Sequence, residues 1–154
     1  MTVSITLKQY LANKGAEYDV VSHPHTMSAS RTAQQSHVSG DRMAKAVVVK
    51  DKEGFALAVL PASRHVAIEA LRDCLNRAVD LASEAEVAAL FKDCELGAVP
   101  ALGQAYGLKV VVDDSLEKEP EVYFEGGDHA SLVHMRGEAF RRLMAGAMHG
   151  RFAQ

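Results

Sequence analysis

Apolar and polar positions follow helical spacing in some parts of the 154-residue chain and strand-like spacing in others. After Ser4, a residue suited to N-capping, apolar side chains recur at positions 5, 7, 10 and 11. This spacing predicts an amphipathic helix that ends at Gly15. The β-rich segment 17–24 predicts a short strand that stops at a proline. The segment 28–38 has capping residues and weaker helical character, which predicts a second helix.

Two strands joined by a short loop form the most apolar part of the sequence. The segments 43–50, "MAKAVVVK", and 54–62, "GFALAVLPA", place apolar residues on both of their faces. Such strands are typical of the interior of a sheet that is covered on two sides. Lys45 is the exception in this region. Its ammonium group either reaches water at the sheet edge through its flexible stem, or lies in a pocket and binds an anion or a carbonyl group.

Helices and strands alternate irregularly in the rest of the chain. Helical patterns cover three segments: 65–76, 83–94 and 138–148. Strand patterns cover four segments: 77–82, 108–114, 121–127 and 131–137. A loop with several glycines and a proline covers 97–107. Because the strands are short, numerous and grouped in runs, the sequence predicts an α+β fold with a strongly curved mixed sheet.

Composition and charge restrict the classes of function. The hydrophobic share of 48% and the charged share of 24% are typical of a soluble globular protein. No segment approaches the roughly 18 continuous apolar residues that span a bilayer, and the N-terminus does not resemble a secretory signal. We therefore expect a single domain, 1–154, in the cytoplasm. A net charge of −3 argues against a protein that grips long stretches of nucleic acid, so any such contact is expected to be local.

A glycine–proline loop is the second candidate for chemistry. In "LGAVPAL", Gly97 lies three residues before Pro100, and the amides of Gly97, Ala98 and Val99 can converge on a carbonyl oxygen or an oxyanion. The same spacing is also common in simple turns.

The histidines are the third candidate. His23 and His25, in "SHPHT", would share one face of a strand, as in some metal sites, but no companion ligands follow at metal-site spacing. His129 follows a double glycine and Asp128, a loop position typical of a polar group that faces a pocket.

Five segments, taken in order, make the chain similar to the YbaK/ProX family, also known as the prolyl-tRNA-synthetase insertion-like editing domains. The segments are "SHPHT", "MAKAVVVKD", "FALAVLPA", "ELGAVPALGQAYGLKVVVD" and "FEGGDHASLVHM". The resemblance extends from about Tyr18 to Met144. It implies a mixed, mostly antiparallel, barrel-like sheet surrounded by helices, which agrees with the α+β pattern.

The resemblance also implies an activity. Members of the family act as free-standing trans-editing enzymes, aminoacyl-tRNA deacylases that hydrolyse the ester of a mischarged tRNA. The usual amino acids are small: alanine, serine, cysteine or proline. The implied partners are the 3′ acceptor end of a mischarged tRNA and an aminoacyl-tRNA synthetase. Neither a cofactor nor a metal is implied.

The resemblance matches Lys45 to the family's lysine and Gly97 to Pro100 to its glycine–proline loop. On chemical grounds we expect Lys45 and Gly97 to be catalytic: the amides of Gly97, Ala98 and Val99 would hold the ester carbonyl, and Lys45 would engage the terminal phosphate or ribose of the tRNA. The remaining candidates are assigned to substrate binding: Ala98, Val99, Pro100, Asp128, His129 and Met27. His129 matches a position that varies among family members.

Two departures from the family pattern keep alternatives open. Ala46 stands where many relatives carry a hydroxyl or amide side chain, and the loop is G-x-x-P rather than G-x-x-x-P. The first alternative is an adaptor of the same fold that binds tRNA or a synthetase and hydrolyses little. The second is a small metal- or ligand-binding protein that uses His23, His25 and His129.

Overall fold

A single eight-stranded sheet organises the fold in the computed structural model, which describes residues 3–26 and 28–154. The strands are β1 (Asp19–Ser22), β2 (Met43–Asp51), β3 (Gly54–Pro61), β4 (Asp80–Leu81), β5 (Lys109–Asp113), β6 (Glu121–Glu125), β7 (Ser131–Arg136) and β8 (Met148–Gly150). The helices are α1 (Ile5–Asn13), α2 (Ala29–Gln35), α3 (Ile68–Leu75), α4 (Glu84–Leu90) and α5 (Gly137–Leu143).

The strands follow the order β1-β7-β6-β2-β3-β5-β8, and β4 pairs separately with β2. The pairs β1–β7, β6–β7, β2–β3 and β2–β4 are antiparallel, whereas β2–β6, β3–β5 and β5–β8 are parallel. The predicted α+β class with a mixed, mostly antiparallel sheet is confirmed. The sheet is open, since β1 and β8 stand at its two ends within the described residues.

Both faces of the central hairpin are buried, as the apolar pattern predicted. On β3, Leu57 and Val59 pack in a core with α1, while Leu60 and the neighbouring alanines pack in a second core with Leu71 of α3. The alternation follows from the two-residue period of a strand. The side-chain hydroxyls of Ser4 and Ser83 cap α1 and α4, and a capping box between Ser83 and Glu86 is present.

Three segments differ from the sequence prediction. The last helix ends at Leu143 instead of continuing to position 148, and Met148–Gly150 forms β8 beside β5. The apolar spacing of a helix continues past Leu143, so local pattern did not distinguish this short edge strand. Helix α4 ends at Leu90, short of the predicted position 94, and Gly103–Tyr106 within the predicted loop forms a 3₁₀ helix.

An interruption in strand pairing along β2 positions the functional site. Strand β6 pairs with Met43 and Ala44, and β4 pairs with Val49 and Lys50. Between these two contacts, residues 45–47 have β3 on one side and no paired strand on the other side among the described residues, while the Val48 carbonyl accepts the Ala82 N–H at 3.0 Å beside β4. The sheet therefore has a gap next to Lys45.

Candidate active site

A cavity of about 320 Å³ is lined by residues of this β2 segment. Its lining consists of Ala29, Lys45, Ala46, Val48, Ala82, Glu84, Val87, Leu96, Gly97 and Val99. Two motifs that lie about 50 residues apart in sequence, the lysine strand and the glycine–proline loop, thus meet at one cavity.

Lys45 is partly buried, and burial lowers the pKa of its ammonium group. No carboxylate of the described residues forms an ion pair with it, in contrast to Lys50 on the same strand, whose Nζ lies 2.7 Å from Glu86 Oε2. A partly desolvated ammonium group without an internal partner is suited to bind an anionic or polar ligand.

The loop offers two of its three predicted amides. Gly97 has a φ of +84°, a left-handed conformation that glycine adopts without strain. The Ala98 N–H donates to the carbonyl of Glu95 at 3.1 Å, and Ala98 is fully buried, so this amide closes the turn. The Gly97 and Val99 amides have no acceptor among the described residues, and both residues line the cavity. Pro100 is buried outside the lining.

His129 and Asp128 lie outside the cavity lining. His129 is 2% exposed, and its Nε2–H donates to the carbonyl of Leu96 at 2.5 Å, so it contacts the loop from the interior. Asp128 accepts the Ala130 N–H at 3.0 Å and the Ser131 hydroxyl at 3.1 Å, which closes its own turn. Met27 lies outside the described residues.

Glu125 lies between two buried histidines behind the loop. Its Oε1 is 3.4 Å from Nε2 of His23, and its Oε2 is 3.8 Å from Nδ1 of His129. The other nitrogen of each ring faces a carbonyl: His23 Nδ1 lies 2.7 Å from Pro24 O, and His129 Nε2 faces Leu96 O. A carbonyl oxygen only accepts, so these two nitrogens carry protons.

In the neutral rings, the nitrogens that face Glu125 are therefore unprotonated and can only accept a hydrogen bond. An ionised carboxylate also only accepts, so neither group can donate to the other. Attraction within this cluster requires a further proton. Burial raises the pKa of Glu125 to about 7, the Thr32 hydroxyl offsets part of that effect, and the carboxylates of Asp128 and Glu95 add to it.

The family profile of the aminoacyl-tRNA editing domain matches residues 23–143, a span that contains the cavity and the buried cluster. The chain belongs to the aminoacyl-tRNA editing domain family.

Solved structures have the same fold as this editing domain. The crystal structure of the hypothetical protein APE2540 superposes with a TM-score of 0.86 at 21% identity, covering 97% of this chain and 99% of the other. A proposed trans-editing enzyme for prolyl-tRNA synthetase superposes with a TM-score of 0.84 at 22% identity, covering 97% and 95%. Curated proteins provide no significant match to the sequence.

A proposed signal-transduction protein from Marinobacter aquaeolei VT8 superposes with a TM-score of 0.78 at 22% identity, covering 97% of this chain and 30% of the other. The fold therefore also occurs as part of a longer chain. Within the described residues of the editing domain, no helix has the length and apolar character needed to cross a bilayer.

A larger groove of about 710 Å³ lies elsewhere on the editing domain, between the end of α1, β7 and α5. It contains none of the residues predicted for chemistry.

The metal-binding alternative gains no support from the histidines predicted for it. His25 Nε2 lies 3.7 Å from Glu95 Oε2, and the only group of the described residues with donor atoms close enough for a metal is Asp114, Glu117 and His149.

Sequence reasoning did not find Glu84 or Glu125. Glu84 is the first residue of α4, where acidic residues are common because they interact favourably with the helix dipole, so nothing in the pattern sets it apart. Glu125 ends an apolar strand, and a carboxylate at that point is ordinarily a solvent-exposed residue. Only the folded chain brings these residues to the cavity and to the cluster behind the loop.

Proposed function

We propose that the editing domain is an aminoacyl-tRNA deacylase that acts in trans and hydrolyses the ester of a small amino acid on a mischarged tRNA. The observation that carries the proposal is the meeting of the unpaired Lys45 ammonium with the free amides of Gly97 and Val99 at one cavity. A cation and two oriented N–H donors match the anionic end of a tRNA and the carbonyl oxygen of its ester.

The ester carbonyl would accept hydrogen bonds from the Gly97 and Val99 amides, while Lys45 would hold the terminal phosphate or ribose. Water adds to the carbonyl carbon and forms a tetrahedral oxyanion, on which the same two amides act more strongly than on the ground state. When the intermediate collapses, the C–O bond to the ribose breaks, and the ribose oxygen takes up the proton released by the water. The products are the free amino acid and the tRNA.

This mechanism needs no strongly activated nucleophile, because an aminoacyl ester is already reactive. Orientation of the ester against fixed donors contributes several kcal/mol, which is enough for a useful acceleration. In this arrangement Ala98 shapes the turn, and His129 and Asp128 are positioning residues rather than residues that touch the substrate.

The cavity wall favours a small acyl side chain. Ala29, Ala46 and Ala82 surround it with methyl groups, and the remaining neutral side chains are valines and a leucine. The likeness to a proposed trans-editing enzyme for prolyl-tRNA synthetase makes the proline-specific tRNA, mischarged with a small non-cognate amino acid, the first substrate to test.

Release of amino acid from a panel of mischarged tRNAs tests the function. We expect Lys45→Ala to lower the single-turnover rate by about 100-fold, equivalent to about 2.7 kcal/mol, with the thermal midpoint unchanged. Lys52→Ala, which removes an exposed lysine from the β2–β3 loop, is the matched control and should retain the full rate.

A well-folded Lys45→Ala variant with full activity would contradict the assigned role of the lysine. Binding of tRNA by the unmodified protein without hydrolysis of any ester would favour the adaptor alternative, which Ala46 in the cavity wall supports.

A further inference from the structure

The cavity contains a second charged side chain, Glu84, which the proposed mechanism does not use. Lys45 and Glu84 are the charged members of its lining, and the other members are apolar residues and a glycine. No cation of the described residues forms an ion pair with Glu84, and it is not paired with Lys45. The cavity therefore presents one unneutralised cation and one unneutralised anion.

The neighbouring carboxylate of α4 is engaged in a different way. Glu86 accepts the Ser83 N–H at 2.9 Å through Oε1 and binds Lys50 at 2.7 Å through Oε2. These contacts fix the first turn of α4 against β2, and so they hold Glu84, the first residue of that turn, at the cavity. One acidic residue of the turn thus has a structural role, while the other remains free to bind a ligand.

The acyl end of an aminoacyl-tRNA has a matching pair of charges. Its α-ammonium group is attached to the carbon next to the ester carbonyl, and its phosphates lie on the nucleotide side of the ester. Lys45 complements the phosphate or ribose side. A carboxylate in the lining of the same cavity complements the ammonium group through opposite charge, although Glu84 is exposed and solvent weakens the attraction.

We propose that the Glu84 carboxylate binds the α-ammonium group of the aminoacyl ester and so restricts the editing domain to esters with a free amino group. The inference rests on the proposed deacylase function and adds a selection to it. Esters whose nitrogen is acylated, such as those of peptidyl-tRNA, lack the cation and would be poor substrates. The enzyme would thereby remove wrong amino acids without releasing growing peptides.

Paired substrates test this selection separately from the reaction itself. The same RNA minihelix is prepared with an alanyl ester, with an N-acetylalanyl ester and with a lactyl ester, in which a hydroxyl replaces the ammonium group. The ratio of kcat/KM for alanyl to lactyl ester is compared between the unmodified protein and Glu84→Gln, so that differences in intrinsic ester reactivity cancel.

We expect Glu84→Gln to lower kcat/KM for the alanyl ester by about tenfold, a modest loss because Glu84 is exposed and solvent screens its charge. The lactyl and N-acetylalanyl esters should be nearly unchanged, because neither carries an ammonium group. Glu69→Gln, at an exposed acidic residue in the first turn of α3, is the matched control and should change none of the rates. A purely structural role of Glu84 at the helix N-terminus would lower all three rates by the same factor.

An equal loss for all three esters in Glu84→Gln, or an unchanged alanyl rate, would overturn the inference and leave the deacylase function intact. If the unmodified protein hydrolysed no ester at all, the proposed function itself would be refuted together with this inference.

Discussion

The imidazole Nε2–H of His129 donates a hydrogen bond to the carbonyl oxygen of Leu96 at 2.5 Å, and Leu96 is the residue that precedes Gly97. His129 has a φ of +59°, an unusual backbone conformation for a residue other than glycine. Its side chain holds the start of the glycine–proline loop. The Gly97 amide owes its direction to this contact, because the Leu96 carbonyl and the Gly97 N–H belong to one planar peptide unit.

Replacement of His129 should therefore loosen the loop. We expect His129→Ala to lower kcat by at least about tenfold, with little change in KM for tRNA, since the lysine and the tRNA surface remain. The lost hydrogen bond and the strain of alanine at positive φ should lower the free energy of unfolding by about 1–3 kcal/mol. Single-turnover kinetics and denaturant unfolding measure the two effects.

His129→Asn is the matched variant, because asparagine tolerates the left-handed conformation and retains an N–H donor. It should recover more stability than activity, since its shorter side chain does not reach the Leu96 carbonyl. A His129→Ala variant that is destabilised but deacylates at the normal rate would show that the contact supports the fold and not the reaction.

Glu125 should make stability depend on pH around neutrality. Burial raises its pKa from 4.5 to about 7, so folding binds a proton between these values. The stabilisation is complete below pH ~4.5 and is lost as the pH rises through ~7, a change on the order of 3 kcal/mol. Glu125→Gln, which keeps the shape of a neutral carboxyl group, should remove this dependence.

Unfolding by urea from pH 5 to 8.5 checks this expectation. The variant should match the unmodified protein at low pH and exceed its stability at pH 8, where the buried carboxylate must ionise near His23, His129, Asp128 and Glu95. The difference between the two curves isolates Glu125, because the histidines are common to both proteins. Curves that run parallel over the whole range would show that Glu125 is ionised already at pH 5.

Gly137 is expected to tolerate no side chain. A Cβ atom built at Gly137 would lie 2.0 Å from the carbonyl oxygen of Glu119. The Gly137 N–H donates to the Pro120 carbonyl at 2.8 Å, and this hydrogen bond holds the two backbone segments together. Gly137→Ala should lower the free energy of unfolding by about 2–4 kcal/mol. Gly146→Ala, where nothing lies within 4 Å, should change it by no more than about 0.5 kcal/mol. Thermal or urea unfolding of both variants measures the contrast, and equal stability of the two would contradict the clash.

The local pattern of the chain determined the presence of its five helices, though not the ends of α4 and α5, and it determined the central hairpin and the α+β class. Apolar residues on both faces of the segments 43–50 and 54–62 require cover on both sides, and the capping serines at positions 4 and 83 mark helix starts by a hydrogen bond within one turn. Lys45 and Gly97 were recognisable because an ammonium group in an apolar strand and a glycine before a proline are locally unusual. The short strand β8 was not recognisable from the sequence, since its three residues form a strand only by pairing with β5.

Only the tertiary structure decided which of these groups meet. The gap in the pairing of β2 arises because β6 and β4 approach it from different parts of the chain, and neither local propensity nor periodicity encodes that spacing. The use of the Ala98 amide within the turn, the position of His129 behind the loop and the burial of Glu125 depend in the same way on contacts between residues distant in sequence. Hydrophobic periodicity depends on residues that are close in sequence. The direction of a single hydrogen-bond donor and the solvation of a single carboxylate depend on the residues that contact them in the folded chain.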